Sequence, residues 1–333
     1  MSEPAPPATE SRIEAARARA ARERARQGLP ERAEAALGVI GGSGLYAIDG
    51  LEDVVEALPG TPFGPPSDPI VVGTLSGRRV AFLARHGRGH RFLPSEVPYR
   101  ANLWALRLLG VERVLAVSAV GSLREGIAPR DACIPDQLID RTSGRPSTFF
   151  GEGIAAHVGI ADPYCPDLSV RVVGLAESVF GAAGDGRSVH AGGTYVCIGG
   201  PQFSTRAESA VHRAWGADVV GMTGAPEAKL AREAELCYAT LAFATDYDVW
   251  REGAEPVSVE QVISNLAVNV SAAREVIRRL AALPPWPRDR CPCPTALAGA
   301  IMTAPGARPP ARLAELALLL GKGGGEPMAE ETR

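Results

Sequence analysis

From Leu37 onwards, short apolar runs bounded by glycine alternate with segments of helical character, and this alternation restricts the chain to few folds. The apolar runs are LGVIGG, IVVGTL, RRVAFLARHG, RVLAVSAVGS, TYVCIGGP, ADVVGMTG and CYATLAFATD. Helical segments between and after them include YRANLWALRLLG, SVRVVGLAESVFGAAG, TRAESAVHRAWG, APEAKLAREAEL and VEQVISNLAVNVSAAREVIRRLAAL. Strands that alternate with helices predict an α/β fold, with a mixed central β-sheet covered by helices on both faces.

The same pattern divides the chain into three parts. Residues 1–36 are first Pro-rich and then Ala/Arg/Glu-rich, and with few large apolar residues they predict a disordered or loosely helical extension. Residues 37–287 contain no linker-like segment and predict a single domain that ends at a proline cluster. Residues 288–333 form a tail whose leucine-spaced segment is expected to dock as a short helix, on the domain or on a neighbouring subunit.

Composition excludes several classes of function. The net charge of −3 gives no electrostatic footprint for nucleic acid. The sequence has no run of eighteen apolar residues, so no membrane span is expected. The N-terminal segment lacks the apolar core of a secretory signal and is too acidic for a typical transit peptide, so the cytoplasm is the expected location.

Cysteine spacing adds one local feature. Four cysteines lie singly in apolar or turn contexts, which is typical of a reducing cytoplasm: Cys133, Cys165, Cys197 and Cys237. The exception is Cys291-Pro-Cys293, and zinc needs more ligands than this pair supplies, so no metal is expected. Two reduced cysteines are the favoured interpretation, and a local disulfide or redox-sensitive pair is the alternative.

Polar residues follow the apolar runs, at the strand ends where α/β sheets bind ligands. Arginine forks match phosphate, glycine turns admit backbone N–H donors, and hydroxyls complete the inventory of a phosphate site. The candidates are Ser43, Arg85, His86, Ser118 and Thr223. Because the sequence has no Walker lysine motif and no obvious Mg²⁺ cluster, free orthophosphate is favoured over a nucleoside triphosphate. The GGSG turn is not G-x-G-x-x-G, so a dinucleotide fold is set aside.

Two carboxylates, Asp246 and Asp248, flank Tyr247 after the last predicted strand. A carboxylate can accept from the 6-amino group of a purine, and a carboxylic acid can donate to N7. Two carboxylates close together tend to share a proton, so one of them can protonate N7 as the base departs. The alternative is an ion pair with arginine or a helix cap. The sequence leaves open which aspartate carries the proton.

The apolar runs, taken together with the polar residues that follow them, resemble the S-methyl-5′-thioadenosine phosphorylase branch of the trimeric purine nucleoside phosphorylase family. The resemblance also includes TPFGPPSD, DQLIDRTSGRPSTFF, GPQFSTRAE and ATDYDVW, and it runs collinearly from about residue 38 to 280. It implies phosphorolysis of methylthioadenosine to adenine and 5-methylthioribose 1-phosphate, a step in purine and methionine salvage. It also implies inorganic phosphate as co-substrate, no cofactor, and a homo-oligomer, either a trimer or a hexamer.

The resemblance implies roles for single positions. Asp246 and Asp248 would meet the purine N7 and 6-amino group, Tyr247 would belong to the substrate site, and Met222 would lie under the ribose. The implied phosphate ligands are Ser43, Arg85, His86, Ser118, Ala119 through its backbone, and Thr223.

Other implied positions lie farther from the reacting atoms. His157 would reach into the neighbouring subunit's site, and Ser204 and Val259 would shape substrate preference. Gly221 and Gly224 stand where some family members carry larger residues, which predicts a wider pocket.

Three alternatives remain. A nucleoside phosphorylase of broader or 6-oxopurine specificity would act on methylthioinosine or inosine, although two aspartates favour adenine because O6 accepts where the 6-amino group donates. A nucleotide-binding module without catalysis would bind purine and not turn it over. A nucleosidase of the same fold would use water in place of phosphate.

Overall fold

A mixed sheet of eleven strands organises the chain in this computed structural model, which describes residues 8–42, 45, 48–251 and 259–321. The strands are β1 Leu37–Gly41, β2 Glu52–Ala57, β3 Ile70–Leu75, β4 Arg78–Ala84, β5 Arg113–Ser122, β6 Ala132–Ile134, β7 Gln137–Arg141, β8 Val189–Ala191, β9 Thr194–Ile198, β10 Val219–Gly221 and β11 Cys237–Asp246. The helices are α1 Ala8–Arg26, α2 Tyr99–Leu108, α3 Pro166–Ala183, α4 Arg206–Ala214, α5 Gly224–Glu233, α6 Val259–Ala282, α7 Pro310–Glu315 and α8 Ala317–Leu320.

The strand order is β2-β3-β4-β1-β5-β10-β9-β7, and β11 branches from it by pairing with both β5 and β6. At the centre, β4, β1, β5 and β11 run parallel to one another. The sheet is mixed because β3 pairs antiparallel with β2 and β4, and β10 pairs antiparallel with β5. The predicted mixed sheet is confirmed.

Helices cover both faces of the sheet, as the alternating pattern predicts. On one face α2 and α5 share an apolar cluster with Tyr238 of β11, and on the other α3 and α6 share one with Leu241 and Phe243. Successive strand residues point to opposite faces, so a strand buried on both sides is apolar throughout, as β11 nearly is. Ile277 and Leu280 of α6 are fully buried, and each contributes about 1.5–3 kcal/mol of burial free energy.

The N-terminal helix α1 is packed more closely than its composition predicts. Ala16 and Ala20 are buried, since small side chains allow the helix to approach the domain. Arg17 Nε donates to Glu112 Oε1 at 2.6 Å, and Arg19 donates to the carbonyls of Leu318 and Leu319 at 3.1 and 3.2 Å. The expectation of a disordered or loosely helical extension therefore does not hold for Ala8–Arg26.

The C-terminal tail docks on its own domain. Leu316, Leu318, Leu319 and Leu320 are buried in the cluster that contains α2 and α5. None of the described helices has the length and apolarity needed to cross a bilayer.

The cysteine pair of the tail is not isolated. Cys291 and Cys293 lie beside Cys165 and Cys237, two residues that the sequence pattern treats as single buried cysteines. Tertiary structure therefore supplies the neighbours that the pair lacks in sequence.

Candidate active site

The carboxyl ends of the central parallel strands meet at one edge of the sheet. Gly41 of β1 pairs with Ala84 of β4, and Ser118 of β5 pairs with Ala242 of β11. The backbone N–H of Arg85, directly after β4, donates to the carbonyl of Gly41 at 2.9 Å. Strand register therefore sets the predicted phosphate ligands directly after β4 close to those on β5.

Arg85 is buried at this edge, and a carboxylate holds it. Its Nε donates to Glu227 Oε1 at 2.5 Å, and its Nη2 donates to Glu227 Oε2 at 3.0 Å. Its Nη1 donates to the carbonyl of Val117 at 3.0 Å, and the Tyr238 hydroxyl donates to Glu227 Oε2 at 2.8 Å. A guanidinium has five N–H donors, so these bonds fix its plane and leave donors for an anion.

The charge of Arg85 is permanent. Burial opposes it, but the Glu227 carboxylate outweighs burial and raises the Arg85 pKa above its usual value. Sequence reasoning missed Glu227, because it lies in an ordinary helical segment, APEAKLAREAEL, with no local sign of a buried partner.

His86 is a neutral neighbour of this cation. Burial, followed by the Arg85 charge, lowers its pKa to about 4. Its Nδ1 lies 2.9 Å from the carbonyl of Phe92, and its ring stacks on His90 with centroids 4.3 Å apart. In the neutral ring, Nδ1–H donates to that carbonyl, so Nε2 remains as an acceptor.

The remaining phosphate candidates are on β5 and at the start of α5. Ser118 and Thr223 are buried, and Ala119 is half-buried. Thr223 is the N-cap residue of α5, yet its side chain makes no capping hydrogen bond. The first N–H groups of a helix and its dipole favour an anion at this position. Ser43 lies outside the described residues.

The two aspartates are joined at the end of β11. Asp246 Oδ1 accepts from the backbone N–H of Asp248 at 2.8 Å, and Oδ2 accepts from the Thr245 hydroxyl at 2.7 Å. Asp248 has a φ of 49°, the left-handed conformation that turns the chain back. Burial raises the pKa of both carboxyls. The alternative ion pair with arginine is not found for either carboxylate within the described ranges.

Unpaired polar atoms surround the Asp248 carboxyl. Asp248 Oδ2, Ser204 Oγ, Ser209 Oγ and His212 Nδ1 are all buried without a hydrogen-bond partner among the described residues. Burial raises the Asp248 pKa, and the nearby His212 acts in the opposite direction. Buried polar atoms need partners, so this group is prepared for a polar ligand. Ser204 was a sequence candidate, and Ser209 and His212 were missed.

Gly121 of β5 lets the two aspartates approach the sheet. A Cβ at this position would lie 3.1 Å from Asp246 Oδ1 and 3.3 Å from the Asp248 Cβ. It would also lie 3.0 Å from Val220 of β10. Any larger residue would displace the carboxyls from β5.

Met222 is held from two sides. Its carbonyl accepts from Arg145, which also donates to the carbonyl of Gly199, so Arg145 ties the loop after β9 to the loop after β10. Gly200 has a φ of 58°, and a Cβ there would lie 2.5 Å from the Met222 sulfur. Sequence reasoning did not single out Arg145.

The prediction that Gly221 and Gly224 widen the pocket is not supported. A Cβ at Gly221 would lie 2.0 Å from the Tyr195 hydroxyl, and one at Gly224 would lie 3.2 Å from the Tyr195 ring. Tyr195, fully buried, occupies the space that these glycines leave.

Three further candidates have different surroundings. Tyr247 meets Trp250 edge-on at 5.9 Å and lies under the Arg251 guanidinium at 4.3 Å. His157 is exposed in a loop, where its backbone N–H donates to the carbonyl of Ala300 at 2.8 Å. Val259 is the first residue of α6, and its side chain lies outside the described part of the structure.

Comparisons with known proteins identify the family of the chain. A family model described as "Phosphorylase superfamily" matches residues 36–282 of this chain. A Koribacter versatilis protein named S-methyl-5′-thioadenosine phosphorylase is 53% identical over 297 residues, covering 89% of this chain and 99% of its own. A protein of the same name from Geobacter sulfurreducens is 51% identical over 290 residues, which cover 86% of this chain and 99% of that protein.

Solved structures give the same result. A methylthioadenosine phosphorylase from an Antarctic soil metagenomic library is 47% identical with a TM-score of 0.80, over 86% of this chain and 99% of its own. The Schistosoma mansoni methylthioadenosine phosphorylase in complex with adenine is 36% identical with a TM-score of 0.76, over 81% and 100%. The chain therefore belongs to the phosphorylase superfamily, and within it to the S-methyl-5′-thioadenosine phosphorylase family.

Proposed function

We propose that this protein catalyses the phosphorolysis of S-methyl-5′-thioadenosine to adenine and 5-methylthioribose 1-phosphate, a step of purine and methionine salvage. One observation carries the proposal: a buried, permanently charged Arg85 lies at the same sheet edge as a buried carboxyl pair, Asp246 and Asp248. The names of the relatives support the same reaction.

Arg85 and α5 form the phosphate half of the site. The guanidinium, fixed by Glu227, presents its remaining N–H groups, and Thr223 leads into the helix N-terminus. Neutral His86 accepts through Nε2 from the hydroxyl of a hydrogen phosphate ion. Ser43, Ser118 and the Ala119 backbone complete the set of ligands.

Asp246 and Asp248 form the base half. Asp248 Oδ2, which has no hydrogen-bond partner among the described residues, accepts from the purine 6-amino group. Ionised Asp248 in turn adds to the effect of burial in raising the Asp246 pKa. Asp246 therefore carries the proton and acts as general acid toward N7.

The reaction balances with these groups alone. A phosphate oxygen forms a bond to the anomeric carbon as the bond from that carbon to N9 breaks, and the Asp246 proton moves to N7. The positive charge that develops on the sugar is stabilised by the phosphate anion. The new Asp246 carboxylate is stabilised by the Thr245 hydroxyl and the Asp248 N–H. Orthophosphate is the co-substrate, and no step calls on a cofactor.

Oligomerisation belongs to the same proposal. His157 is exposed in the chain and completes the site of a neighbouring subunit, in a homotrimer or a hexamer. Met222 lies under the ribose, Tyr247 belongs to the substrate site, and Ser204 and Val259 shape substrate preference. The enzyme works in the cytoplasm, without nucleic acid or membrane partners.

Parallel assays test the proposal. Methylthioadenosine, adenosine, methylthioinosine and inosine are each incubated with and without phosphate, and kcat/KM is measured. Phosphate-dependent release of adenine, fastest from methylthioadenosine, is expected. Adenine release that ignores phosphate would identify a nucleosidase, and faster turnover of the inosines would identify a 6-oxopurine enzyme.

A further inference from the structure

Four cysteine sulfurs from distant parts of the sequence meet at one point of the fold. Cys165 precedes α3, Cys237 is the first residue of β11, and Cys291 and Cys293 belong to the tail. All four Sγ atoms lie within 4.8 Å of one another, and the Cys237 and Cys291 sulfurs are 3.6 Å apart. Cys291 is half-buried and the other three are buried.

This cluster is remote from the catalytic groups. Cys237 and Asp246 occupy opposite ends of β11, and ten strand residues span about 30 Å. The cysteines therefore lie at the amino end of the strand, away from the edge that gathers Arg85 and the aspartates. A role in the chemistry of the nucleoside does not fit this position.

The spacing of the sulfurs is typical of a metal site. Zinc bound by four thiolates at about 2.3 Å in a tetrahedron sets the sulfurs about 3.8 Å apart. A disulfide requires about 2.05 Å between two sulfurs and does not need a second pair nearby. Here every sulfur lies within 4.8 Å of the three others, so a single ion among them can contact all four thiolates.

The backbone around the cluster is well anchored. The Cys165 N–H donates to the carbonyl of Tyr238 at 2.8 Å, and the Cys237 N–H donates to the carbonyl of Glu112 at 2.9 Å. Cys293 begins a short 3₁₀ turn whose Ala296 N–H donates back to its carbonyl at 3.3 Å. The cysteines are thus presented by two fixed elements and one turn.

Two buried arginines lie beside the cysteine cluster. Arg288, which is buried, donates from Nε to Cys237 Sγ at 3.4 Å. Arg113, also buried, is the strand partner of Cys237, and its nearest carboxylate is Glu112 at 3.6 Å. A zinc ion with four thiolates has a net charge of −2, and two buried guanidinium groups beside it offset that charge.

We propose that Cys165, Cys237, Cys291 and Cys293 bind one zinc ion as a structural site. Four sulfur ligands in a closed tetrahedron leave no position for substrate, and soft thiolates select zinc over magnesium or calcium. The ion joins the start of α3, the start of β11 and the tail, and its binding free energy adds to the stability of the fold. This proposal does not depend on the reaction proposed above.

Metal analysis of the full chain tests the site. The protein is purified under reducing conditions without metal-affinity resin, and its metal content is measured by mass spectrometry. About one zinc per chain is expected. The double variant Cys291→Ser/Cys293→Ser should contain none and melt at a lower temperature, while Cys133→Ser, outside the cluster, should keep its zinc.

A second measurement does not depend on the folding of the variant. Wild-type protein grown with Co²⁺ in place of Zn²⁺ should show the intense visible absorption of tetrahedral cobalt–thiolate coordination. Wild-type protein without metal, or with disulfides among these four cysteines, would overturn the proposal. Iron at the site would overturn the identity of the ion, and full zinc content in the double variant would overturn the ligand assignment.

Discussion

Glu227 holds Arg85 by two parallel hydrogen bonds, from Nε to Oε1 at 2.5 Å and from Nη2 to Oε2 at 3.0 Å. Both side chains are buried, so the pair fixes the guanidinium plane in a region where water does not compete. The carboxylate is thus a positioning group for the phosphate half of the site.

Exchange of Glu227 for glutamine should weaken that positioning. The amide NH₂ would face the guanidinium N–H groups, and one charged hydrogen bond, about 1.5–3 kcal/mol, would be lost. We expect the KM for phosphate to rise by about ten-fold or more, with a smaller change in the KM for nucleoside. The matched control is Glu23→Gln, which disrupts an exposed pair of hydrogen bonds from Arg26 to the Glu23 carboxylate. Equal changes in both KM values would contradict the role.

The neutral His86 predicts a pH dependence of stability. The unfolded state takes up a proton near the ordinary pKa of 6.5, and the folded state only near 4. The unfolded state therefore binds more protons between these values, so stability falls as the pH is lowered from 6.5 to 4. His86→Asn should lessen this slope in melting curves recorded without phosphate. Asp246 and Asp248 titrate with the opposite sign but remain in both proteins. Identical slopes would refute the assignment.

The acid role of Asp246 predicts a specific loss. Asp246→Asn removes the proton donor and should lower kcat for methylthioadenosine by about 10²–10⁴-fold. The asparagine NH₂ can still donate a hydrogen bond to N7 but has no proton to transfer, so kcat should fall more than the affinity for nucleoside. In the wild type, kcat should decline as pH rises through the raised Asp246 pKa, and the variant should lack this decline. Asp185→Asn, in an exposed pair with Arg187, is the control. A kcat close to that of the wild type would count against the assignment.

Subunit mixing tests the reach of His157. His157→Ala and Asp246→Asn should each be poorly active alone, because every site would lack one residue. In co-expressed mixed oligomers, about a quarter of sites in a random mixture would have both residues from different chains. Activity should therefore return to about that fraction of wild type. Full activity of His157→Ala alone, or no recovery on mixing, would show that the residue does not act across an interface.

Sequence pattern predicted the sheet and the residues at its strand ends, because both depend on local periodicity. Arg85, His86, Asp246 and Asp248 follow apolar runs, and parallel strands bring such ends together. Glu227 could not be found in this way. It is buried by contacts with residues far away in sequence, and nothing in its own helix distinguishes it from a surface glutamate.

Local sequence pattern also could not predict how the small side chains of α1 and the cysteine side chains pack. Ala16 and Ala20 gave α1 no apolar stripe, yet their small size is what lets the helix dock. Cys165 and Cys237 lie 72 residues apart in the numbering and far from the Cys291 pair, so only the tertiary fold reveals that they are neighbours. Tyr195 likewise fills the space beside Gly221, which the sequence suggested would be open.

The contact between α1 and α8 also constrains how the protein is made. Arg19 leaves the ribosome 299 residues before Leu318, whose carbonyl it binds in the folded chain. Domains usually fold as units from the N-terminus during synthesis, but the contact of α1 with α8 can form only when almost the whole chain has emerged. Its alanine-rich surface, which exposes little that could aggregate, is suited to that delay.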